Sequence, residues 1–167
     1  MLSKKVEEIL NVQVMKEGYS SNLYLAMASW AEVNGFAGIA DWFYAQSEEE
    51  RLHMLKFIRY VNERGGQAII PEMEKPPVDY TSVKEAFNNV MEHEIFISNS
   101  INEIVQLCIE EKDYTTHSWI QWFVTEQIEE ESQVSDIIDK LNLIGDSNMY
   151  LFDRDIVGMR GKASAGE

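Results

Sequence analysis

The chain has 167 residues, 45% of them hydrophobic and 26% charged, which is enough for one domain with a substantial core. Its formal net charge of −15 argues against a nucleic-acid partner, whose binding needs Lys and Arg to displace counterions, and gives a field that attracts cations. No apolar run approaches the roughly 20 residues that span a bilayer, the first eight residues carry Lys4, Lys5, Glu7 and Glu8 instead of a secretory signal, and the single cysteine allows no intrachain disulfide. These features predict a cytoplasmic protein with no membrane partner.

A first helix is predicted over residues 3–32, with Leu10, Gln13, Glu17, Ser20, Tyr24 and Met27 on one stripe, and Asn34-Gly35 ends it. A second runs over 38–65 with Phe43, Gln46, Glu50, His53, Phe57 and Tyr60 on its stripe, and Gly65-Gly66 is a strong stop. Residues 67–80 hold all three prolines, Pro71, Pro76 and Pro77, and read as a connection without regular structure. Ser82 opens a third helix over 82–111, with Glu85 completing a capping box. Its stripe is Phe87, Val90, Glu94, Ile97, Ile101 and Ile104, and Cys108 on the same apolar side reads as a buried structural thiol. Asp113 caps a fourth helix over 113–142, with Ile120, Phe123, Gln127, Glu130, Val134, Ile137 and Leu141 facing inward. Gly145 breaks the chain, a short helix follows over 147–157, and residues 158–167 read as a flexible tail.

Loop length decides the topology. The short joints after the first and third helices make two antiparallel hairpins. A helix of 30 residues is about 45 Å long, and a connection of some 16 residues reaches up to about 53 Å. The middle segment is therefore long enough to run the length of a bundle, which makes the second and third helices parallel. A shift of 77 residues places Glu17 on Glu94, Ser21 on Ser98, Asn22 on Asn99, Trp42 on Trp119, Glu49 on Glu126, Glu50 on Gln127 and His53 on Glu130. Two related hairpins about a pseudo-twofold axis would bring these polar positions to one depth.

Those positions carry the chemistry. An unpaired carboxylate on a core stripe costs several kcal/mol or takes up a proton, yet all four stripes place polar groups near mid-length. A shared cation resolves the conflict. Glu50 and His53 form E-x-x-H, one turn apart on one face, and suit a carboxylate that bridges two metals beside an imidazole that binds one. Glu17, Glu94, Gln127 and Glu130 complete a set drawn from four helices, with Q-x-x-E in place of a second E-x-x-H. A donor set rich in carboxylate and free of thiolate favours Fe, Mn or Mg over Cu. Glu49, Glu126 and Glu129 form a second acidic layer able to hold a further cation, whereas Glu48 and Glu131 read as solvated. Tyr24 reads equally as a hydrogen-bond or electron donor to the site and as core packing, and Trp122 as packing.

At these residues the chain resembles the bacterial non-haem ferritins. The likeness rests on KEGYSSNLYLAM around Glu17 and Tyr24, EEERLHMLKF around Glu50 and His53, His93-Glu94, WFVTEQIEEE from Trp122 to Glu131, and the short fifth helix. The resemblance implies an all-α, ferritin-like four-helix bundle of two hairpins, one long crossover and a fifth helix. It implies that Glu17, Glu50, His53, Glu94, Gln127 and Glu130 are the catalytic ferroxidase pair of iron sites, and that Glu49, Glu126 and Glu129, with Glu130, are a third. It further implies that Fe(II) is oxidised by O2 or H2O2 and stored as ferric mineral in a hollow homo-oligomeric shell of twenty-four subunits. Bacterioferritins repeat E-x-x-H on the fourth helix and carry a haem-ligating Met just after the first Glu; here Gln127, Glu130 and Arg51 stand there, so no haem is expected. The alternative on the same ligands is a di-iron oxidoreductase of small oligomeric state without mineral storage.

Overall fold

The computed structural model describes residues 1–160. It contains helices α1 (Lys4–Val33), α2 (Ala37–Glu63), α3 (Val83–Glu110), α4 (Tyr114–Ile144) and α5 (Met149–Asp155), the last flanked by 3-10 turns over Asp146–Asn148 and Ile156–Met159. Among the described residues there is no strand, and no helix is long and apolar enough to cross a membrane.

Local chemistry sets the helix ends. Ser3 accepts from the Val6 amide at 3.3 Å, Ser82 from that of Glu85 at 3.1 Å, and Asp113 from that of Thr116 at 3.0 Å. The Glu85 carboxylate reaches back to the amide and hydroxyl of Thr81, one residue before the cap, so the predicted capping box closes one position early. Gly35 and Gly65 leave α1 and α2 with φ of 82° and 80°, a region open to glycine at little cost.

The crossover follows α1 from end to end. Near its start the Gln67 amide donates to Glu7, and the Asn11 side chain bonds both the Gln67 carbonyl and the Ile69 amide. Midway, Met73 lies over Gly18 and receives the Asn22 amide. At the far end the Tyr80 ring meets Trp30 edge-on, with centroids 5.3 Å apart. α3 therefore starts beside the C-terminus of α1 and runs antiparallel to it, and Lys5 pairs with Glu111 at the other end. α4 starts where α2 ends, tied by Tyr60 to Thr116 at 3.0 Å and Arg64 to Asp113 at 3.5 Å. The result is a four-helix bundle of two hairpins in which α2 and α3 are parallel.

The short α5 closes the end of the bundle opposite the Lys5–Glu111 pair. Its Phe152 and the following Ile156 are fully buried in one of two apolar clusters, with Phe87, Phe43 and Trp42. Phe36, which precedes α2, offers no side-chain cap; Asp153 supplies one across the structure by accepting from the Ile39 amide at 2.9 Å. A carboxylate at a helix N-terminus also meets the positive end of the helix dipole. The predicted tail begins beside this closed end. Buried Ile156 holds residues 156–159 in a 3-10 turn, and Arg160 bonds back to α2; residues 161–167 lie outside the described residues.

A Cβ on Gly38 would stand 1.8 Å from the Asp153 carbonyl oxygen, so α5 can dock only on a glycine. Gly38→Ala should cost roughly 1–3 kcal/mol, the usual range for overpacking. Its thermal midpoint should fall, and α5 should become open to limited proteolysis while α1–α4 stay protected.

Candidate metal centre

Two apolar clusters fill the bundle. One holds Tyr24, Met27, Trp42, Phe43, Phe87 and Phe152; the other holds Leu10, Phe57, Ile101, Ile104, Ile120 and Phe123. Between them lies a layer of buried polar groups: Gln13, Glu17, Ser20, Ser21, Gln46, Ser47, Glu50, His53, Glu94, Ser100, Glu126, Gln127 and Glu130. The 3/4 spacing on each helix and the crossover's length bring these groups to one level.

Glu17, Glu50 and His53 each offer an atom within 4.8 Å of the others', a spacing that one metal ion could span. His53 Nδ1 lies 3.5 Å from Glu50 and 3.8 Å from Glu17. Its ring is fixed edge-on against Trp122 and Phe123, which gives Trp122 a packing role. Glu50 also feels the carboxylate of Glu94, and Glu130 feels both, so Glu50 faces each half of the layer. Burial pushes the carboxyls of Glu17, Glu50 and Glu130 well above the ordinary range, and repulsion among them adds to it. Glu94 is raised by burial as well, partly offset by hydrogen bonds from Tyr24 and Gln127.

A surrounding set of hydrogen bonds aims these carboxylates. The Gln13 amide donates to Glu17 at 2.7 Å, and Gln13 is held in turn by Ser100 at 2.5 Å, whose hydroxyl receives Lys16 at 2.6 Å. The Gln46 amide donates to Glu130 at 2.9 Å. The Tyr24 hydroxyl donates to Glu94, and the Gln127 amide nitrogen reaches the same carboxylate at 3.1 Å. Burial beside Glu94 pushes the Tyr24 phenol well above its usual range, which keeps it protonated as a donor. The same Gln127 nitrogen lies 3.4 Å from the Ser98 hydroxyl, which ties α4 to α3 at this level. Gln13 and Gln46 stand on the predicted stripes, but the sequence assigns them no partner. Ser100 and Arg160 carry no sequence signal for a place at the site, because their roles depend on packing between helices.

The second acidic layer is only partly assembled. Glu49 and Glu126 approach His53, again with atoms within 4.8 Å of one another. Glu129 is exposed and belongs to neither group. Glu131, read as solvated, is half-buried and accepts from Ser98. Cys108 is fully buried, and burial pushes its thiol up to about 11, in keeping with an inert packing group.

The raised carboxyls make a signed prediction for the metal-free protein. A carboxyl whose folded pKa exceeds its unfolded value adds stability that is complete below the unfolded pKa and is lost as pH rises through the folded one. Apo Glu50→Gln should therefore melt above apo wild type at pH 8. The gap should shrink as pH falls toward 4.5, the unperturbed carboxyl value. Thermal midpoints of chelator-treated protein across this window are the check.

The arrangement can be placed among known proteins. The ferritin-like domain family matches residues 7–144. A probable bacterial non-heme ferritin-like protein of Haemophilus influenzae is 43% identical over 165 residues, covering 98% of this chain and 100% of the relative. A bacterial non-heme ferritin of Campylobacter jejuni is 40% identical over 156 residues, covering 92% and 93%. Among solved structures, the open pore ferritin of Archaeoglobus fulgidus superposes with a TM-score of 0.91 at 39% identity, over 93% of this chain and 96% of that one. Fold and sequence agree over nearly the whole length, and the chain belongs to the ferritin-like domain family.

Proposed function

We propose that the chain is a ferroxidase and iron-storage subunit. Fe(II) is its substrate. Two ions bind side by side, one held by Glu17 and His53, the other by Glu94, Gln127 and Glu130, with Glu50 between them. The observation that carries this reading is the convergence of four buried carboxylates and one imidazole, from four helices, in a layer closed above and below by apolar side chains. Hard oxygen donors suit iron, and the names borne by the relatives make iron the leading choice.

The chain's own groups perform definite tasks. Protonated carboxyls release their protons as cations arrive, so binding strengthens with pH. The Gln13–Ser100–Lys16 relay orients Glu17, while Tyr24 and the Gln127 amide orient Glu94. Each Fe(II) gives one electron to the oxidant. With H2O2, two Fe(II) yield two Fe(III) and two hydroxide ions; with O2, the two electrons and two protons yield H2O2. The Fe(III) then leaves, hydrolyses and grows as mineral. Glu49 and Glu126 serve a third cation position on that path. Storage needs an enclosed volume that one bundle cannot supply, and we assign it to a shell of 24 copies of the chain. Haem has no part in this reading.

Three outcomes follow. Aerobic addition of Fe(II) to the apo-protein should give a large soluble particle holding far more than two irons per chain; saturation at two irons on a small oligomer would replace storage with a di-iron oxidoreductase. Glu50→Ala should slow Fe(II) oxidation, followed by stopped-flow absorbance, by on the order of a hundredfold while the shell still assembles. Oxidation at the wild-type rate in that variant would remove Glu50 from the site. Tyr24→Phe should cost about tenfold if its task is to orient Glu94.

A further inference from the structure

The Glu49–His53–Glu126 cluster already has a cation beside it, and that cation belongs to the chain. Arg160 Nη2 lies 2.7 Å from Glu49 Oε2 and 3.5 Å from Gln46 Oε1. Gln46 in turn donates to Glu130 at 2.9 Å, so the guanidinium is one side chain away from the di-metal layer. The segment is anchored just upstream by Ile156, which is fully buried. A groove of about 610 Å3 between α2 and α4 opens onto the same place, lined by Glu49, Leu52, His53, Trp122, Glu126 and Arg160. Lys56, which lines the same groove, stands over the Trp122 ring at 3.3 Å and also feels the charge of Glu126.

We propose that Arg160 is a displaceable internal counter-ion that competes with divalent metal for the Glu49–His53–Glu126 cluster. The C-terminal segment thereby sets the affinity of the third cation position. The inference rests on the metal-binding reading given above, and it adds a residue and a competition that the family assignment does not supply.

Mutual exclusion follows from distance. A divalent ion sits about 2.0–2.6 Å from a carboxylate oxygen. A guanidinium 2.7 Å from the same oxygen would leave two positive charges about 4 Å apart, in a half-buried site where repulsion is poorly screened. One must leave. Arg160 is built to be the one that does. Strong Arg–carboxylate pairs are bidentate; here one nitrogen holds Glu49, and the buried Nε has no hydrogen-bond partner among the described residues. A buried donor left unsatisfied weakens the hold. By mass action, metal affinity falls by the fraction of chains in which the guanidinium is docked.

Zn(II), which has no redox chemistry, is the probe, titrated calorimetrically into the full apo-chain. Two tighter binding events should appear in wild type and in Arg160→Ala. A further, weaker event should be about tenfold tighter in Arg160→Ala than in wild type. Arg160→Lys should stay close to wild type, and Arg160→Ala with Glu49→Gln should lose the weaker event. An unchanged weaker event in Arg160→Ala, or equal tightening in Arg160→Lys, would overturn the competition while leaving the pair of tight sites standing. Absence of tight sites that respond to Glu50→Gln would overturn the metal centre itself, and the competition with it.

Discussion

Everything in this structure answers to one electrostatic problem. Glu17, Glu50, Glu94 and Glu130 are at most 5% exposed, packed together between two layers of apolar side chains. Removing a carboxylate from water costs several kcal/mol even after relaxation, and each neighbour of like charge adds to the cost. Without metal the layer meets it by taking up protons. Divalent cations settle it better, because they supply the missing positive charge where the oxygen atoms converge. A stable fold and a layer whose charge favours cations are thus two aspects of one arrangement. The −15 net charge extends that attraction beyond the molecule.

The fold serves to keep the four carboxylates level. Caps at Ser3, Ser82 and Asp113 fix three helix starts, and Asp153 fixes the fourth from the far end of the chain. The crossover, bonded to α1 at Glu7, Asn11 and Asn22, sets the two hairpins at one height. The pseudo-symmetry is chemical as well as geometric. Glu17 and Glu94 are each bonded by a side-chain amide, from Gln13 and Gln127 respectively. The asymmetry lies in the second members of the two motifs. His53 stands against Trp122 and Phe123, whereas Glu130 is held by Gln46. The two halves of the layer therefore differ in charge and softness.

Much of this is legible in the sequence, for a physical reason. A polar residue on a core stripe is costly, so its presence at Glu17, Glu50, His53, Glu94, Gln127 and Glu130 is informative before any coordinates are seen. The spacing rule finds each stripe, and the length of residues 67–80 gives the topology. Partnerships between helices are harder to read. Gln13 and Gln46 sit on the right faces, but only packing shows that they aim Glu17 and Glu130. Asp153 lies 114 residues from the amide it caps. Gly158 and its neighbours look like a tail by composition, yet buried Ile156 draws Arg160 onto Glu49. The exposure of Glu129 is equally invisible to a one-turn spacing rule, because it depends on the rotation of α4 in the bundle.

The central claim is that the polar layer holds two metal ions with Glu50 between them. Anomalous diffraction at the iron edge, from crystals of the apo-protein soaked anaerobically in Fe(II), tests it most directly. Two peaks should appear in the layer, one against Glu17 and His53 and one against Glu94 and Glu130, each within bonding distance of a Glu50 oxygen. A layer with no iron, or iron confined to the surface carboxylates, would contradict it.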